Sequence, residues 1–86
     1  MYLFLTTKIW QEGKHYIAYC PELEIASQGK NPEHALKRIK EAIEIFLEET
    51  KKIGTFEEVL KSVGFVKEKK DWKAPLISIS PLEVKI

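Results

Sequence analysis

The chain is 86 residues long and carries 14 Lys and Arg against 13 Asp and Glu, a net charge of +1. That length fits one domain over 1–86 and leaves no room for a second, and the balanced charge argues against a strongly steered nucleic-acid or membrane binder, whose mark would be a basic excess. The single cysteine, Cys20, excludes an internal disulfide, and no long apolar run behind a basic start marks a signal peptide or membrane span, so a cytoplasmic chain is expected.

In chain order, Met1 to Gln11 reads as a strand rich in β-branched and aromatic residues, with Tyr2, Phe4, Thr6, Lys8 and Trp10 on one face and Leu3, Leu5, Thr7 and Ile9 on the other. Glu12-Gly13-Lys14 makes a hairpin turn into His15 to Cys20, and Pro21 halts that second strand because it has no ladder N–H to donate. A third strand, Glu24 to Gln28, completes a meander and closes on Gly29. Asn31-Pro32-Glu33 then supplies an N-cap, a proline for the first helical turn and an acid at the positive end of the helix dipole.

The helix from Pro32 to Ile53 places Ala35, Leu36, Ile39, Ala42, Ile43, Phe46 and Leu47 at three- and four-residue spacing, one stripe that must lie on the sheet. Glu33 with Lys37 and Glu48 with Lys52 have the favourable i,i+4 order. Gly54 supplies a stop, and Thr55-Phe56-Glu57-Glu58 reads as a capping box for a shorter helix ending near Gly64. Lys67 to Pro75 reads as a polar loop. Leu76 to Ser80 alternates like a strand, and Pro81 ends it or marks an edge before Leu82 to Ile86. The order β-β-β-α-α-β predicts an α+β fold, an antiparallel sheet with helices on one face.

The Ala-Tyr-Cys-Pro-Glu-Leu run from Ala18 to Leu23, the Ser27-Gln28-Gly29 strand end and the Pro32-Glu33-His34-Ala35 helix start together resemble the HicB-like antitoxin family. The resemblance covers residues 1 to 50 well and residues 51 to 86 in outline. Where many relatives have a proline and glycine before the third strand, this chain has Glu24-Ile25-Ala26. The resemblance implies the same fold, sometimes described as a partial ribonuclease H fold. It further implies a small basic HicA-like messenger-RNA-cleaving toxin as partner, neutralised by steric masking, with no cofactor.

The residues themselves point away from catalysis. A ribonuclease H site needs carboxylates converging on divalent metal, whereas the first strand has Thr6 and Lys8 where an acid is wanted, and Glu22 and Glu24 fall in or beside a turn and read as solvated surface. Cys20 and His15 lie five residues apart on one strand, about 16 Å, with their side chains on opposite faces. His34 reads as solvent-facing, and two scattered histidines give no metal-ligand spacing.

A non-enzymatic binding protein is therefore expected. With helices on one sheet face, Tyr2, Phe4 and Trp10, joined by Tyr19, are the candidate partner-binding residues on the other, and Trp72 with its flanking charges is a candidate rim. Trp72 among the lysines also admits an RNA-stacking reading, against which stands a tryptophan folded back over the sheet edge or the second helix. A homodimer or higher even oligomer is expected from the small core and the apolar first and last strands. A stand-alone homo-oligomeric or ligand-binding protein of the same fold, and an RNA-binding module, are the alternatives to the antitoxin role.

Overall fold

The computed structural model describes residues 2–86. Met1, read above as the head of the first strand, lies outside them. Three strands, β1 (Lys8–Glu12), β2 (His15–Cys20) and β3 (Ile25–Gly29), form an antiparallel meander in the order β1-β2-β3. Its register sets Trp10 opposite Ile17 and Ala18 opposite Ser27. The first strand is shorter than the 1–11 span expected, because β2 stops at Cys20 and the chain turns through Pro21 to Glu24, leaving no strand to face residues 2–7. The third strand starts at Ile25, one residue late, since Glu24 takes the left-handed φ of +55° that closes the turn.

Helix α1 (Pro32–Lys52) begins as its sequence requires: the Asn31 side-chain oxygen accepts from the His34 N–H at 2.7 Å, Pro32 occupies the first turn and Glu33 meets the dipole. His34 is not free in solvent. It is half-buried, and its Nδ1 accepts from the Lys30 N–H at 3.1 Å, which fastens the strand-to-helix junction from the other side. Gly29 matters here for space: a Cβ on it would lie 2.5 Å from the Ala35 nitrogen and 2.8 Å from the His34 carbonyl carbon. Both are backbone atoms that cannot step aside.

The core lies between α1 and the sheet, with Ala18, Cys20 and Leu23 against Ala35, Ile39 and Ile43, and Leu5, Tyr16, Ile25 and Leu47 around them. The helix stripe is narrower than its sequence suggested. Leu36 and Phe46 sit on its flanks and stay exposed, because α1 lies mainly over β2 and β3 and its margins overhang the sheet. Lys52 pairs with Glu49 at 3.7 Å, not with Glu48 as its spacing had suggested.

Both helices end in the same motif. At the end of α1 the Thr55 N–H donates to the Thr50 carbonyl and the Gly54 N–H to Lys51, with Gly54 at φ +79°. After α2 (Phe56–Ser62), the Phe65 N–H donates to the Leu60 carbonyl and the Gly64 N–H to Lys61, and Leu60 and Phe65, the positions where such a cap places its apolar residues, are both buried. The capping box at Thr55 does not form. Thr55 is held by its bond to Thr50 at φ −108°, ψ 7°, outside the extended region an N-cap hydroxyl needs, and makes no side-chain cap bond.

The segment read as a polar loop is instead a hairpin, β4 (Val66–Glu68) and β5 (Asp71–Lys73), turned by Lys69 at φ +55°. The final strand of the α+β order is therefore this hairpin. Leu76 to Ser80 forms no strand, nor does Leu82 to Ile86, because alternation prepares a segment to pair but supplies no partner.

Candidate protein-binding surface

Alternation along each strand assigns the two sheet faces. Ala18 and Cys20 are buried under α1, so Ile17 and Tyr19 on β2 point the other way, and the register places Trp10 and Lys8 of β1 and Ala26 and Gln28 of β3 with them. No helix covers this outer face. At its centre Trp10 lies directly opposite Ile17, with Tyr19 its diagonal neighbour, an aromatic–aliphatic group of the kind that anchors protein interfaces.

Trp10 is 38% exposed yet held in place. Its indole Nε1 donates to Glu12 Oε1 at 2.9 Å, and the Lys8 ammonium stands 5.8 Å from the ring centroid. Those charged neighbours on the same strand face orient the ring before any partner arrives, which reduces the entropy lost on binding.

Of the five residues singled out from the sequence, the structure brings Trp10 and Tyr19 together on this face. Tyr2 and Phe4 extend past the sheet on residues 2–7 and are almost fully exposed. Trp72 is separate: on β5 it packs edge-on with Phe56 of α2, ring centroids 6.4 Å apart at 87°, with the Lys67 ammonium 5.7 Å from its centroid. Lys67 also donates to Glu57, and that bond holds the Glu57 carboxyl below the usual carboxylate range. A half-buried tryptophan folded onto the second helix, beside a lysine already paired, is a poor platform for stacking a base.

Two features were missed in the sequence. Glu22, read as solvated, is buried: its carboxylate accepts from the Thr6 N–H at 2.8 and 3.0 Å and lies 3.5 Å from Cys20 Sγ. Burial pushes the Cys20 thiol up from its ordinary value, and the neighbouring carboxylate raises it further. His15 belongs to the outer face, so it is no base for this thiol. The second feature is an apolar groove of about 630 Å³ between residues 2–7 and α1, lined by Leu3, Leu5, Leu36, Ile43 and Leu47 and closed at one end by Phe56. Its signal was present in Leu3, Leu5 and the helix flanks, but only the strand's early end reveals the gap.

Among the described residues no three His, Cys, Asp or Glu side chains converge as metal ligands, and no helix is long and apolar enough to cross a membrane. No family model matches the chain, and neither a curated protein nor a solved structure matches it significantly.

Proposed function

We propose that this chain is an inhibitory binding protein of antitoxin type, which neutralises a small basic HicA-like messenger-RNA-cleaving toxin by covering its RNA-binding surface. The observation that carries the reading is the uncovered outer sheet face, where a pre-oriented Trp10 sits against Ile17 and Tyr19 inside a rim of Lys8, Glu12 and His15. An apolar centre inside a polar rim is the usual anatomy of a protein interface. The resemblance of Ala18 to Leu23 and of the Asn31-Pro32 helix start to HicB-like antitoxins gives the partner its chemical character. Masking asks for no reacting group on this chain, only for area and shape.

The test is co-expression with a small basic protein encoded beside this chain. Growth arrest by that protein alone, relieved by this chain and not by its Trp10→Ala variant, supports the proposal. Arrest that this chain never relieves, with both proteins soluble, contradicts it.

A further inference from the structure

Residues 76–86 form a C-terminal arm with no helix or strand, exposed at every residue. Leu76 is 99%, Leu82 84% and Ile79 60% exposed, and Val84 and Ile86 are exposed as well. Burying such side chains is favourable, so an arm this apolar held in water is unsatisfied. The radius of gyration, 14.9 Å, exceeds the roughly 12 Å of a compact 86-residue chain, as a projecting arm requires. Pro75 fixes its direction, lying so close to the end of α2 that a Cβ on Gly64 would meet it at 3.3 Å.

The arm has the pattern of a strand with one dry face. Ile77 and Ile79 alternate with Ser78 and Ser80, while Leu82, Val84 and Ile86 alternate with Glu83 and Lys85. The halves are out of phase by one residue at Pro81, and a bulge there brings both apolar sets onto one side; bulges are where a strand tolerates proline.

A surface that such a strand fits is present on the same molecule. From Tyr2 to Glu12 the chain presents eleven residues with a free edge: β1 is outermost in the sheet and exposed along its whole length, and residues 2–7 have no strand partner. Leu3, Leu5 and Ile9 point to the α1 side of this limb, so a strand added along it lays its own apolar face over the groove and the exposed Leu36.

We infer that the occupant is the arm of a second copy of this chain, exchanged reciprocally in a two-fold dimer. Each protomer then gives one arm and receives one, which leaves neither β1 edge open. Residues 76–86, residues 2–12 and the groove wall of α1 together approach the 20–30 residues a side, about 800 Å² per partner, of a stable interface. This dimer does not depend on the toxin-masking role and leaves the Trp10 face open.

The test uses full-length chains labelled with ¹⁴N and ¹⁵N, refolded together and treated with a lysine-reactive cross-linker. The exchange predicts a mass by light scattering of twice 10.0 kDa, with mixed-isotope linkage between Lys85 of the arm and Lys8 of β1. A monomeric mass overturns the inference, and so does Lys85–Lys8 linkage confined to single-isotope pairs, which means that each arm docks on its own body. Leu82→Asp combined with Val84→Asp should weaken dimerisation about a hundredfold or more without loss of helical signal, since both side chains are exposed in the single chain. A double variant that dimerises as tightly as the parent places the interface elsewhere and also overturns it.

Discussion

Both carboxylate oxygens of Glu22 accept from the backbone N–H of Thr6, at 2.8 and 3.0 Å, where the sheet ladder has run out. Sixteen residues apart in sequence, Glu22 gives Thr6 the acceptor that the ladder no longer supplies. The clamp holds Leu3 and Leu5 against the groove and sets the course of the whole N-terminal limb.

Removing that acceptor strands a partly buried N–H, so Glu22→Ala should destabilise the fold by about 1–3 kcal/mol. Glu22→Gln, which keeps one acceptor oxygen, should lose less. Denaturant unfolding gives the energies, and faster hydrogen exchange at the Thr6 amide locates the effect. Unchanged exchange at Thr6 in Glu22→Ala would show that the clamp does not hold in solution.

Gly29→Ala should destabilise by about 1–3 kcal/mol although alanine is a small residue, because the new methyl meets the backbone of His34 and Ala35. The loss should come with weakened protection of the first turn of α1. A variant as stable as the parent would mean that the strand-to-helix junction has slack that the 2.5 Å approach denies.

The helix stripe should divide by burial. Ile39 is 1% exposed, and its change to alanine should cost about 2–5 kcal/mol. Phe46, at 37% exposure, should cost about half as much or less despite its size. Equal losses in thermal or chemical unfolding would place Phe46 in a core contact that its exposure does not suggest.

The Cys20 thiol titrates higher in the folded chain than in the unfolded one, so its contribution to stability is fully present below the ordinary thiol value of about 8.5 and is lost as pH rises through the folded value. Unfolding midpoints should therefore fall more steeply above pH 8.5 for the parent than for Cys20→Ala. Thiol reagents should label the native protein slowly and the unfolded chain fast. Parallel pH profiles for the two proteins would remove the thiol from the account.

What the sequence made legible was local. Asn31, Pro32 and Glu33 act on the next turn of chain, and Gly54 and Gly64 on the previous one, so the helix boundaries follow to within two residues. Cys20 and Pro21 likewise end β2 where a missing N–H must end it. What remained hidden depends on distant partners. Nothing near Glu22 signals that Thr6 will seek its carboxylate, and Leu76 to Ser80 alternates as a strand does while its pairing edge lies elsewhere. The outer face was legible in part: period-two alternation put Trp10 and Tyr19 opposite the helix, but did not reveal the hydrogen bond to Glu12 or the Lys8 ammonium near the ring that orient the indole. The capping box at Thr55 failed because the Schellman bond to Thr50 claimed the same backbone first.

Under the proposed function, the outer sheet face binds the partner through Trp10. The most direct measurement is the affinity of the purified basic partner protein for the parent and for Trp10→Ala, by calorimetry, with unfolding curves run on both. Trp10→Ala should lose about 2 kcal/mol or more in binding, roughly a thirtyfold rise in Kd, with the fold intact, because Trp10 is exposed on the sheet face opposite the helix and its polar contacts are to Glu12 and Lys8 of its own strand. An unchanged Kd in a folded variant would contradict it and move the binding surface off the sheet.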